Sequence, residues 1–310
     1  MNEKFPLVSV CIVTYNSAKF LVDTLDSIKN QTYDNIELII GDDSSKDNTV
    51  EICKKWIAEN KDRFISTTIV AQPTNKGVCN NLNACYSVAK GDWIKIIAGD
   101  DILLPNCISD YVSYIVEKPQ ADILFSKMIH FSGDVYNKEN SFYEDDSYTQ
   151  GFFLENDEKK LYSVARKNAL AAPTLFHRNG IIQNLGGYDT DYCFEDWPMW
   201  LKLLENHYKF DYIDKYTVAY RHHSASVSSF TNKFFNFKLE SDIYKFRQKY
   251  CFKYYSSKEI KFVVLDYKLK KLQHKFKMDY CTLGNRIVNS IKNRSLLFIK
   301  TICGIDKNLY

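Results

Sequence analysis

The sequence predicts an α/β protein with a doubly wound, mostly parallel sheet flanked by helices. First, short β-branched apolar runs alternate with amphipathic helical stretches from Leu7 to Ile97, in the order βαβαβαβ. Second, the runs are apolar at successive rather than alternate positions, the pattern of strands buried on both faces. Third, several of them end in short polar segments, and ligands of such sheets lie in the crevice at the carboxyl ends of the strands.

Leu7 to Thr14 (LVSVCIVT) reads as the first strand, closed by Tyr15-Asn16-Ser17. Leu21, Leu25 and Ile28 then share one face of a helix over 18–31. Ile36 to Ile40 is the second strand, ending in Gly41-Asp42-Asp43-Ser44-Ser45, and Val50, Cys53 and Ile57 mark the helix after it. Ser66 to Ala71 is the third strand. Val78, Leu82, Cys85 and Ala89, at steps of 4, 3 and 4, predict a helix over 76–90 packed on the sheet. Trp93 to Ile97 is a fourth strand running into Ala98-Gly99-Asp100-Asp101. Beyond Pro105 come a helix and a strand at 122–128. The polar, acidic and aromatic stretch 132–157 has no clear period and reads as a long excursion over the active-site side. A helix at 197–205 and a strand at 217–220 follow. After Phe230, Phe235, Leu239, Ile243, Phe246 and Tyr250 recur at helical spacing.

With 310 residues, 45% hydrophobic and 25% charged, the composition is globular and excludes fibrous or wholly disordered classes. The formal net charge of +3 conceals a split, because residues 231–310 carry 18 basic and 6 acidic side chains while the first 230 carry 23 and 32. We therefore expect a catalytic domain over 1–230 and a basic, mainly helical extension over 231–310, facing something anionic. Nine scattered cysteines without a CxxC pair favour neither a disulfide framework nor a zinc site, and read as free thiols in a reducing compartment. Met1 to Pro6 does not read as a signal peptide, and no apolar stretch approaches the roughly 18–20 residues needed to span a bilayer.

The strand ends carry the chemistry. Neither GxGxxG nor GxxxxGK[ST] follows the first strand, so a dinucleotide fold and a kinase-type phosphate loop are excluded. Instead, carboxylates cluster at the crevice, where they can hold a hard cation and through it a phosphate. In this setting VSVCIVTYNSAKFLVDTLDSIKNQTYDNIELIIGDDSSKDNT, NKGVCNNLNACYSVAKGDWIKIIAGDDILLP, LGGYDTDYCFEDWPMWLKLL and YRHHSASVS together resemble the family 2 glycosyltransferases of the Rossmann-like GT-A fold, over roughly residues 6–228.

The resemblance implies an inverting transferase that moves a sugar from a nucleotide-diphosphate sugar, UDP-sugars favoured, to a hydroxyl of a glycan. Thr14, Tyr15 and Asn16 would line the nucleotide, and Asp43 would accept an N–H of the base. Asn75, Gly77 and Asn83 would stand near the donor. Asp100-Asp101 occupies the family's DxD place, with Ala98 replacing its first acid. Asp101 would bind Mn²⁺ or Mg²⁺, and Asp100 the ribose or sugar. Glu195-Asp196 matches the catalytic ED pair, with Asp196 as base and Glu195 as its substitute or a sugar ligand. His223 would be a phosphate or metal ligand with Arg221 its charge partner, and Leu82 stands one position before Asn83 where many relatives have Arg. The residues alone leave other readings open: an Asx turn at Asp42-Asp43, a helix cap at Asp196, and a solvated face on helices of the basic extension that pack against the catalytic domain.

The resemblance further implies a lipid-linked acceptor in the synthesis of a surface polysaccharide, such as O-antigen or capsule. It places the enzyme at the cytoplasmic face of the membrane, held peripherally by the basic extension at an anionic surface. No nucleic-acid-binding motif is present. The competing class is a degenerate nucleotide-binding scaffold, favoured by the loss of an acid at Ala98.

Overall fold

The structure is a computed structural model, described over residues 5–143, 146–223 and 233–306. Its first half follows the alternation read from the sequence: β1 (Val8–Thr14), α1 (Leu21–Lys29), β2 (Ile36–Asp42), α2 (Thr49–Asn60), β3 (Ser66–Ala71), α3 (Val78–Val88) and β4 (Trp93–Ala98). There follow β5 (Ile102–Leu103), α4 (Cys107–Glu117), β6 (Ile123–Ser132), β7 (Ser141–Phe142), α5 (Ser147–Leu154), α6 (Asp157–Arg166), β8 (Phe176–Arg178), α7 (Ile181–Asn184), α8 (Asp196–Glu205) and β9 (Phe210–His222). The chain then turns helical, with α9 (Phe237–Phe246), α10 (Ser257–Lys275) and α11 (Leu283–Cys303).

The strands form one sheet in the order β3-β2-β1-β4-β8-β6-β9-β5, with β7 paired to β6. β1 to β4 are mutually parallel, so the ends carrying Thr14, Asp42 and Ala98 lie side by side. β8 runs antiparallel to β4 and β6, and β9 runs parallel to β6. That pairing brings the end of β9, with Arg221 and His222, back to the rim where β4 ends. Helices cover both faces. One core gathers around α3, α8 and the C-terminal helices, and a second lies under α1, α2 and α4. α3 presses closely on β2, since a Cβ added at Gly41 would lie 2.4 Å from Cys85 Sγ.

Two stretches differ from the sequence reading. The excursion after residue 132 holds β7, α5 and α6; α5 buries only Phe152, too little apolar periodicity to mark a helix from sequence. β9 begins at Phe210, seven residues before the expected strand, through a partly exposed run (DYIDKY) with no strict alternation. The expected boundary at 230 lies outside the described residues, as do positions 224–228 of the final motif.

The basic extension is not a free appendage. Phe246, Cys251, Tyr255, Phe262 and Val263 share the core containing Trp197 and Trp200 of α8. Arg166 of α6, 1% exposed in its side chain, donates from Nε to Glu259 Oε1 (2.7 Å) and from Nη2 to Glu259 Oε2 (3.2 Å). Glu259 in turn closes a capping box with Ser256 at the start of α10.

Candidate active site

At the end of β1, Thr14 is buried and donates Oγ1–H to Gly41 O (3.1 Å) and Asp42 Oδ1 (3.0 Å). Asp42 also accepts from Ser45 N (2.9 Å) and Ser45 Oγ, the Asx-turn arrangement, so it serves the turn. Tyr15 is half exposed at the crevice. Asn16 adopts φ 51° and accepts from Lys46 N at Oδ1 (2.7 Å), fixing the loop after β1 against the loop after β2.

Asp43, expected to take an N–H of a base, accepts from the backbone N–H of Lys76 (2.8 Å) and Gly77 (2.7 Å). It thereby pins the loop carrying Asn75 and Gly77 to the end of β2, and Gly77 starts α3 at φ 88°. Asn75 is exposed on that loop. Asn83, expected near the donor, instead holds the glycine turn before α8: its Oδ1 accepts from Tyr188 N (2.8 Å) and its Nδ2 donates to Tyr188 O (3.0 Å). A Cβ at Gly187 would meet Asn83 Oδ1 at 2.6 Å, so only glycine fits there.

The DxD region divides its two acids differently from the expectation. Asp101 is fully buried, its Oδ1 accepting from Arg221 N (2.9 Å). Burial, reinforced by the Asp100 charge, holds its carboxyl well above the usual range, while its Oδ2 is buried with no hydrogen-bond partner. Asp100 is the acid that reaches the crevice. Its Oδ2 lies 2.8 Å from His223 Nε2, and both side chains keep some exposure. Arg221, expected at the phosphates, is buried between the rings of Phe20 and Phe131 and donates to Asp100 O, Gly133 O, Asp134 O and Asp23 Oδ2. It braces the β4 end from behind and does not present its charge to a ligand.

Glu195 and Asp196 stand at the N-terminus of α8, where the helix dipole favours negative charge. Asp196 Oδ2 accepts from Asn168 Nδ2 (2.7 Å) and its Oδ1 from Trp197 N (2.6 Å). Burial raises its carboxyl, and those two donors act against the rise. Glu195 has no such side-chain donor; burial and the Asp196 charge push it up to about 8. The two acids thus differ in environment, Asp196 being held by two donors that oppose the effect of burial and Glu195 being pushed up to about 8. Cys79, in the first turn of α3, donates its Sγ–H to Tyr192 O (3.7 Å) and Phe194 O (3.6 Å), in the segment that leads into Glu195 and Asp196. The carboxylate pair therefore borders the same helix start that Asp43 anchors. Sequence reading missed Asn168, which lies in a loop 28 residues upstream and belongs to no motif, and Asp23, the partner of Arg221.

A consequence follows for stability. Between its ordinary value of 4.5 and about 8, native Glu195 keeps a proton that the unfolded chain has lost, so stability falls as pH rises through that window. Glu195→Gln should flatten this decline, with a melting temperature above wild type near pH 8 and little changed near pH 5, as measured by calorimetric scans across that range.

Comparison with known proteins agrees with this architecture. Residues 9–173 match the profile described as Glycosyl transferase family 2. Glycosyltransferase GlyG of Streptococcus pneumoniae is 35% identical over 135 residues, which are 44% of this chain and 41% of GlyG, so less than half of that relative is matched. An Escherichia coli enzyme, UDP-Glc:alpha-D-GlcNAc-diphosphoundecaprenol beta-1,3-glucosyltransferase WfaP, is 27% identical over 77% of this chain and 86% of its own length. Among solved structures, S. aureus TarS 1-349 in complex with UDP-GlcNAc superimposes with a TM-score of 0.59 at 18% identity, covering 77% of this chain and 65% of that one, a likeness of fold. The sheet is the GT-A arrangement the sequence predicts, and the chain belongs to glycosyl transferase family 2.

Proposed function

We propose that the protein is an inverting glycosyltransferase that uses a UDP-sugar and a lipid-linked glycan acceptor in the assembly of a surface polysaccharide. The observation that carries this reading is the pair Glu195-Asp196 at the start of α8, with Asp196 held by Asn168 Nδ2 (2.7 Å) and Trp197 N (2.6 Å), bordering the start of α3 that Asp43 anchors at the crevice formed by the ends of β1, β2 and β4.

The nucleotide lies over Tyr15 and the loops fixed by Asn16 and Asp43. Tyr15, exposed and aromatic, offers a stacking face for the base. Asp43 acts by holding Asn75 and Gly77 in place, which leaves backbone groups and Asn75 to meet the donor. Asp100 and His223 would hold the divalent cation, a carboxylate oxygen with an imidazole nitrogen being a donor set that suits Mn²⁺ better than the oxygen-preferring Mg²⁺. When bound, the cation offsets the charge that develops on the leaving diphosphate. Among the described residues no three His, Cys, Asp or Glu side chains gather into a metal cluster.

Asp196 takes the proton of the acceptor hydroxyl as that oxygen attacks the anomeric carbon from the side opposite the diphosphate, which inverts the configuration. Asn168 aligns Asp196 and favours its charged form by donating to it. Glu195, protonated, donates a hydrogen bond to a sugar hydroxyl. UDP as the nucleotide and a polyprenyl-diphosphate sugar as acceptor are supported by WfaP, whose name states both, and by the TarS complex with UDP-GlcNAc. Among the described residues no helix is long and apolar enough to cross a membrane. We place the protein at the cytoplasmic face, with the basic extension meeting the anionic surface.

The test is transfer from radiolabelled UDP-glucose and UDP-GlcNAc to a bacterial polyprenyl-linked lipid extract with Mn²⁺ present. The expected product is extractable into organic solvent and has the anomeric configuration opposite to that of the donor. A product of retained configuration would overturn the inverting reading, and no transfer from any UDP-sugar would overturn the donor assignment.

A further inference from the structure

The C-terminal helices pack inward with one side and leave the other uncovered. On α11 the inward side carries Leu296 and Lys300, and Lys292 Nζ donates to Gln273 Oε1 of α10 (2.8 Å). The outward side carries Leu283, Ile287, Ile291, Phe298 and Ile302, at steps of 4, 4, 7 and 4, each between 58% and 80% exposed. These positions fall within about 100° of helix circumference and run the length of the 21-residue helix. So long an exposed apolar stripe marks a surface with a partner.

One face of α10 shows Leu265, Leu272 and Phe276 exposed, with Lys261, Lys268 and Lys275 interleaved at steps of 7. Arg286 and Arg294 add exposed charge along α11. The carboxylates within these helices and their connection are engaged elsewhere: Glu259 with Arg166, Asp266 with Lys270 (3.0 Å), and buried Asp279 with His274 Nδ1 (2.9 Å). The outward face is therefore apolar and positive with no opposing acid, so a second copy placed against it would meet like charge. An anionic lipid surface answers both properties, apolar side chains entering the acyl boundary while lysines stay among the headgroups.

We propose that α10 and α11 form a single lipid-seated platform in which the Leu283–Ile302 stripe of α11 enters the interface of an anionic bilayer and the Lys261, Lys268 and Lys275 row of α10 lies along the headgroups. This rests on the membrane assignment above and sharpens it from attraction by charge to insertion of a defined helix face.

The test uses the full-length chain carrying Phe298→Trp, whose new indole replaces an exposed ring. The four native tryptophans, Trp56, Trp93, Trp197 and Trp200, are all buried and so stay out of reach of a lipid-borne quencher. With vesicles of phosphatidylglycerol and brominated phosphatidylcholine, the emission that F298W adds, taken as the difference from the wild-type spectrum, should shift to the blue and fall by at least half, with no change in vesicles of phosphatidylcholine alone. Ile287→Ser with Ile291→Ser, both exposed, should weaken co-sedimentation at least tenfold while leaving the melting temperature unchanged. Salt-sensitive co-sedimentation without quenching, and without an effect of the serine pair, would overturn insertion while leaving charge-based attachment standing. No co-sedimentation with anionic vesicles would overturn both. Concentration-dependent dimerisation abolished by the serine pair, without vesicle binding, would assign the face to a second copy instead.

Discussion

Asp196→Asn should lower the rate of sugar transfer by about 10² to 10⁴-fold, the contribution typical of a positioned general base. The substitution keeps the shape of the side chain, and an amide oxygen can still accept from the Trp197 N–H that Asp196 uses (2.6 Å). What it removes is the capacity to accept a proton from the acceptor hydroxyl. Donor affinity, set at the ends of β1, β2 and β4, should stay within about twofold of wild type by calorimetry. Glu195→Gln should retain most of the rate, because Glu195 already holds its proton at neutral pH. Reversed outcomes, with the Glu195 variant inactive and the Asp196 variant active, would exchange the two roles.

The second large effect concerns the join between the catalytic body and the basic extension. Arg166→Met should destabilise the whole protein by about 3–5 kcal/mol, because Glu259 would lose both guanidinium hydrogen bonds in a buried place. The lost hydrogen bonds from Arg166 to Tyr162 O (3.0 Å) and Tyr254 O (2.6 Å) add to the cost. Replacing both partners, Arg166→Met with Glu259→Met, should recover a substantial part of the loss, since the desolvated charge is then gone. Denaturant unfolding followed by far-ultraviolet circular dichroism measures both, and a single transition in each variant is expected because the two regions share one core. An Arg166 variant as stable as wild type would mean that the extension docks without this pair. The same packing implies that removing residues 231–310 would uncover Trp197, whose ring lies tilted against that of Phe246 (5.3 Å) and which directly follows Asp196. Truncation should therefore disturb the Glu195-Asp196 pair itself.

The strands from β1 to β4 and their helices were legible because burial on both faces writes itself as continuous β-branched runs, and one-sided helix burial as steps of three and four. The helix α5 was not, because it buries one side chain and leaves no period. At the site, sequence told which residues stand near the crevice but not which way they face. Asp101 and Arg221 are drawn inward by each other and by Asp23, leaving Asp100 and His223 on the crevice side. Asn83 turns toward the Tyr188 backbone, and Asp43 toward its own neighbouring loop. Asn168 was invisible because its role depends on a loop returning to α8 from a different part of the chain. The charge split at residue 230 was plain in the sequence, yet its meaning was half hidden. The basic helices bury one side against the catalytic core and expose the other.

Calorimetric titration of the full chain with UDP, in Mn²⁺ and in EDTA, tests the central claim that the ends of β1, β2 and β4 hold a nucleoside diphosphate through Asp100, His223 and a divalent cation. One UDP should bind per chain in Mn²⁺, at least tenfold more weakly in EDTA, and Asp100→Asn should weaken binding in Mn²⁺ to the EDTA level. Absence of binding in either condition, or equal affinity in both with Asp100→Asn unchanged, would contradict it.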